Sequence, residues 1–157
     1  EDVELSSPKE ALEKDGNEVT IISFEANQEI TGKKGTKFKS DKGIDEVKPE
    51  DFDALLIPGG FSPDQLRSDA RFVSFVSYFL DKDQPLFAIC HGPQLFIQTG
   101  LTKGRTMTAY TTVRPDVGYA GAIVKDEAVV VDNKLVTSRT PDDLPDFNQK
   151  IVEILHG

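Results

Sequence analysis

The chain is poor in the residues that build covalent staples, metal cages and membrane spans. Its 157 residues include one cysteine, one methionine, two histidines and no tryptophan. A lone cysteine forms no internal disulfide, which points to a reducing, cytoplasmic setting. Two histidines and one thiol offer no recognisable zinc spacing, so metal catalysis is not expected. There is no apolar run of about 18 residues and no basic-then-apolar leader, so a membrane partner is not expected either. Positive charge is scarce: 18 Lys and Arg stand against 27 Asp and Glu, a net charge of -9. That balance argues against a nucleic-acid partner, which needs clustered cations. The basic stretch "TGKKGTKFK" is short and reads as a solvated hairpin. No phosphate-binding loop or dinucleotide fingerprint occurs, so no cofactor is expected.

What remains is a soluble globular composition, 38% apolar and 29% charged, of a length suited to one domain. Ser7-Pro8-Lys9-Glu10 reads as a helix start with a capping box, ended by Gly16. "EVTIISF" reads as a strand, and "EITGKKGTKFKSDKGI" as a short hairpin or irregular excursion. "DALLIPGG" and "PLFAI" are continuous apolar runs of buried-strand length. Phe72, Phe75, Val76, Phe79 and Leu80 repeat at helical spacing, which predicts a helix over 69–81. "PQLFIQTG" predicts a further helix, "RTMTAY" a strand, and "AVVVDNKLVTSR" a hairpin turning near Asp132 and Asn133. Residues 143–156 predict a closing helix. The alternation predicts an α/β fold with a mostly parallel sheet and helices on both faces.

The single thiol sits at a telling point. Cys90 ends the apolar run "PLFAI" and is followed at once by His91, Gly92 and Pro93. In open parallel sheets, ligands bind beyond the carboxyl ends of the strands. A cysteine on a sharp strand-to-helix turn points into that crevice, as in a nucleophile elbow. A helix N-terminus there favours the thiolate. Backbone N–H groups around Gly59, Gly60 and His91 are candidates for an oxyanion hole. The plainer alternative is that Cys90 is a small buried hydrophobe and His91 a structural histidine.

The segments "FAICHGPQLFIQTG", "DALLIPGGFSPDQLR" and "TSRTPDDLPDF", with the opening "EDVELSSP", resemble the PfpI/ThiJ family over nearly the whole chain. That family is the intracellular-protease-I-like branch of the class I glutamine amidotransferase-like superfamily. The resemblance implies a single domain over residues 1–157 with a flavodoxin-like three-layer sandwich, assembled as a homodimer or larger homo-oligomer. It implies a reactive cysteine, here Cys90, and a carboxylic acid against its sulfur. Glu4 matches that acid, with Glu1 a second acidic position in the same motif. A protonated Glu4 beside a thiolate needs its own pKa raised by burial near an anion; the plainer reading of either Glu is helix-dipole complementation. In the peptidase-like branch an acid from a neighbouring subunit completes the histidine. Asp64 matches that position, with a side chain one methylene shorter than the glutamate of some relatives. Tyr110 matches a tyrosine lining the site. The family also has a leading strand before the "EDVEL" motif, so the expectation is that a strand is missing ahead of Glu1.

The activities that the resemblance implies are glutathione-independent glyoxalase, deglycase, intracellular peptidase, and a noncatalytic redox-responsive stress role. The substrate in the first two is a small aldehyde such as methylglyoxal or its early adducts. An amidotransferase triad needs a late histidine and glutamate, and the penultimate His156 is followed only by Gly157.

Overall fold

The computed structural model describes residues 2–60 and 62–156. In chain order its elements are α1 (Asp2–Lys14), β1 (Ile22–Ser23), β2 (Glu29–Thr31), β3 (Lys37–Lys39), β4 (Lys42–Gly43), β5 (Leu55–Ile57), α2 (Ser62–Leu66) and α3 (Ala70–Asp81). There follow β6 (Leu86–Ile89), α4 (Gln94–Ile97), β7 (Thr106–Met107), α5 (Val113–Tyr119), β8 (Ile123–Val124), β9 (Val129–Asp132), β10 (Leu135–Ser138) and α6 (Leu144–His156).

The main sheet has the order β5-β6-β10-β9. Strands β5, β6 and β10 run parallel, and β9 closes one edge antiparallel to β10. The strand β6 is central and fully buried, and its alternate side chains serve opposite faces. Leu86 and Ala88 join the core made with Phe72, Phe75 and Phe79 of α3, Leu95 and Phe96 of α4, and Val113 and Val117 of α5. Phe87 and Ile89 join the other core, with Leu12 of α1 and Phe147 and Ile151 of α6. This is the flavodoxin-like α/β sandwich that the sequence predicts. Each buried Phe contributes about 1.5–3 kcal/mol, so the two cores outweigh exposed ion pairs such as Lys14–Glu10, worth about 0–1 kcal/mol each.

Helix α3 runs as its apolar spacing predicts, and Asp69 caps it by accepting the Arg71 N–H at 2.9 Å. The β9–β10 turn falls at Asn133, in left-handed backbone (φ 54°). The β2–β3 hairpin pairs Glu29–Thr31 with Lys37–Lys39.

Some elements differ from the sequence reading. Helix α1 does not start at Ser7-Pro8; it starts at Asp2 and carries Pro8 inside it. Pro8 forfeits the hydrogen bond to the carbonyl four residues back. Tertiary bonds to the Asp2 and Glu4 side chains hold the early turns instead. The strand expected over 18–24 shrinks to Ile22–Ser23 and pairs with β4, apart from the main sheet. Helix α5 was not expected, because Pro115 and Gly118 interrupt its pattern; Val113 and Val117, one turn apart, bury it nonetheless.

Candidate active site

The carboxyl ends of β5, β6 and β10 open on one side of the sheet, and Cys90 stands in the middle of it. Its N–H donates to the Ser138 carbonyl at 3.0 Å, and its own carbonyl accepts the Tyr110 N–H at 2.9 Å. Ser138 of β10 on one side and Tyr110, in the segment ahead of α5, on the other therefore grip the residue by its backbone. Between those grips Cys90 takes φ 62°, in the left-handed region. A side chain there is crowded against the following carbonyl, so the bend is strained and aims the thiol out of the strand line. Gly92 makes the turn sterically feasible: a Cβ on it would lie 2.6 Å from the Ile57 carbonyl oxygen.

Two side chains meet the sulfur. The Nδ1 of His91 lies 3.2 Å from Sγ. The carboxyl of Glu4, fully buried, lies beside the thiol and acts on its pKa. Oε1 of Glu4 also accepts the Gly59 N–H at 2.9 Å. Gly59 has no room for a side chain, since a Cβ would collide with Glu4 Oε1 and press on Cys90 Cβ. The glycine thus serves the acid. This corrects the expectation for Gly59: its N–H orients Glu4 rather than facing an oxyanion. Gly60 bends the chain next to it (φ 84°), and no hydrogen bond from its N–H is found among the described residues.

The electrostatics of the thiol are set by these contacts. Burial, then the Glu4 charge and its hydrogen bond, push the Cys90 thiol up to about 12, and the backbone N–H of His91 pulls the other way. The expectation of a depressed thiol pKa therefore does not hold beside an ionised Glu4. Helix α4 is only four residues long, so its dipole is a weak counterweight. Desolvation, then the Lys33 charge, lower the His91 pKa, so its imidazole is neutral at neutral pH. The ring stacks on Tyr110 with centroids 4.7 Å apart and planes 24° apart.

Cys90, His91, Glu4, Gly59 and Tyr110 therefore converge. Asp64 does not join them within one chain. It lies exposed on α2, and no hydrogen bond or ion pair joins it to His91 among the described residues. Glu1 lies outside the described residues. No group of three or more His, Cys, Asp and Glu is arranged for a metal ion among the described residues. No helix among them is long and apolar enough to cross a membrane. Three residues were missed. Ser138 acts through its backbone, which no side-chain pattern reveals. Asp2 and Lys33 matter only once the hairpin folds onto α1; the acidic pair around Val3 and the glycines flanking Lys33-Lys34 were the available signals.

A protein of Staphylococcus saprophyticus is 58% identical over 158 residues, spanning 99% of this chain and 92% of the relative. One of Staphylococcus aureus is 59% identical over 157 residues. Both are described only as uncharacterised. Among solved structures, a two-domain protein of Anabaena variabilis with DJ-1/ThiJ/PfpI-like and ferritin-like domains superposes with a TM-score of 0.96 at 36% identity, over 99% of this chain and 45% of that one. A ThiJ/PfpI domain protein of Brachyspira murdochii gives 0.92 at 25% identity, over 99% of this chain and 90% of that one. Drosophila melanogaster DJ-1beta, 22% identical with a TM-score of 0.89, shares the fold over 98% of this chain and 83% of its own. The model of the DJ-1/PfpI family matches residues 1–154, and the chain belongs to that family.

Proposed function

We propose that the chain is a cysteine-dependent enzyme that processes small aldehydes or their early adducts without glutathione, as a glyoxalase or deglycase. One observation carries the reading: a thiol held in strained backbone touches a buried carboxyl on one side and a neutral imidazole on the other. A purely structural cysteine needs none of these.

With methylglyoxal, Cys90 Sγ attacks the aldehyde carbon. The thiol proton passes through Glu4 or His91 to the carbonyl oxygen, giving a hemithioacetal. The same base then takes the proton from that carbon and returns it to the neighbouring carbon. The product is a thioester of lactate on Cys90. Water cleaves it, releasing lactate and the free thiol. No external oxidant enters, since one carbon is oxidised as its neighbour is reduced. The Gly60 N–H is the candidate oxyanion donor, and Tyr110 fixes the imidazole plane. The peptidase alternative needs a third group for His91, and the exposed Asp64 can supply it only from a second copy in a homodimer or larger assembly. A redox-responsive role would use the same thiol, oxidised to a sulfinate beside Glu4.

The test is lactate formation from methylglyoxal, without glutathione, by wild type and Cys90→Ala. Loss of at least about a hundredfold in the variant is expected. Equal, negligible rates would end the aldehyde reading and turn attention to peptide substrates and to peroxide.

A further inference from the structure

The two residues that grip the Cys90 backbone both lie where strand pairing stops. Ser138 is the last residue of β10, and Tyr110 lies beyond the end of β7. The residue after Ser138 is held by a side chain. Asp143, buried ahead of α6, accepts the Arg139 N–H at 3.0 Å, and its carboxylate also takes Nε at 3.0 Å and Nη2 at 3.1 Å. The residue before Tyr110 is held in a similar way, since the Ala109 carbonyl accepts Arg114 Nη1 at 3.3 Å. Arg114 Nη2 donates to Thr111 Oγ1 at 2.7 Å on the same segment. One oxygen joins the two sides. Oδ1 of Asp126, in the connection between β8 and β9, takes Arg139 Nη1 at 2.9 Å and Arg114 Nη1 at 3.1 Å. The Arg139 hydrogen bond, then the Arg114 charge, hold the Asp126 carboxyl below its ordinary pKa, so it is ionised at neutral pH.

We propose that Asp126 is a positioning residue of the Cys90 site: it ties together the two segments that hold the cysteine backbone from either side, and so maintains the left-handed bend. An isolated exposed ion pair contributes little. Here one carboxylate stands between two guanidinium groups that meet on the same atom. Removing its charge leaves Arg114 without an acidic partner among the described residues and facing the Arg139 cation, so the two sides repel instead of merely separating. The bend at Cys90 (φ 62°) is strained, and it relaxes when its neighbours let go. A relaxed bend leaves the thiol less buried, and burial is the largest cause of its raised pKa. The inference rests on Cys90 being the reacting thiol of the proposed enzyme, and alkylation tests it without turnover.

The probe is iodoacetamide, with Cys90 modification followed by intact mass as a function of pH, and each variant is also titrated with urea. In Asp126→Asn the alkylation profile should move to lower pH, and the rate at a fixed pH below the midpoint should rise about threefold. Asp126→Glu keeps the charge and should return the profile towards that of wild type. Asp45→Asn removes a similarly exposed acid, paired with Arg71 at 2.8 Å, and should leave the profile unchanged. An unmoved profile in Asp126→Asn overturns the inference, even if the urea titration shows lost stability. Equal movement in Asp45→Asn overturns it too, since any lost ion pair would then suffice. A wild-type Cys90 inert to iodoacetamide overturns it together with the nucleophile reading. The expected movement in a protein that forms no lactate supports the role of Asp126 and ends the aldehyde reading alone.

Discussion

Strands β5 and β6 run side by side and leave the sheet through similar left-handed bends, one at Gly60 (φ 84°) and one at Cys90 (φ 62°). Glycine makes such a bend without steric cost. A cysteine does not, and the penalty is about 1–2 kcal/mol. The other non-glycine residues in this region are Asn27, Asp83 and Asn133. Their short polar side chains tolerate it, and they sit in exposed or half-buried turns. Cys90 is the buried exception. Where the fold merely needs a bend, it uses Gly, Asn or Asp; at the centre of the sheet it accepts strain and places a thiol. The contrast locates function by a cost that packing does not explain.

The contrast can be broken most severely on the β5 side. Gly59→Ala would push a methyl into Glu4 and against Cys90, and should lower stability by about 1–3 kcal/mol in urea titrations. A fully stable variant would mean that the two bends are less tightly joined than described. The Glu4 substitution acts on chemistry instead. The Glu4 carboxylate raises the thiol pKa, so Glu4→Gln should lower it. The pH profile of iodoacetamide alkylation should move to lower pH, and the rate at a fixed pH below the midpoint should rise about tenfold for each unit of movement. Lactate formation should nevertheless fall, because the proton carrier is gone. An unmoved profile would show that carboxyl and thiol do not couple. The smallest effect sharpens the comparison itself. Cys90→Gly should be more stable than Cys90→Ala by about 1 kcal/mol, measured by thermal unfolding, because only Ala keeps the steric strain at this bend. Equal stabilities would mean that the bend stores no strain.

Much of the fold was legible because its strands announce themselves. The β6 run is apolar at every position, as a strand buried on both faces must be. The α3 stripe is equally plain. Helix α5 was illegible because local propensity opposes it and only the burial of Val113 and Val117 rescues it. The start of α1 was misplaced because Ser7-Pro8 imitates a cap, whereas the true anchors are side chains bonding to Gly59 and to the hairpin, far away in sequence. At the site the same division applies. Cys90 was marked by its place at a strand end. Glu4 was found only through family resemblance, because its partner lies 86 positions away. The role of Gly59 was misread, because a glycine-rich turn does not reveal which acceptor takes its N–H.

Helices α1 and α6 also impose an order in time. Helix α6 braces α1 through Asn148 to Ser7 at 2.8 Å, His156 to Asp15 at 2.7 Å, and Leu12 packed with Phe147 and Ile151. A ribosome makes Glu4 before Cys90, and Cys90 before this brace. Until α6 emerges, the nascent chain carries its cysteine without a fixed acid beside it. The reactive pair is thus assembled only once α6 has been made, and a polypeptide interrupted before α6 would hold the ingredients of the site without its chemistry.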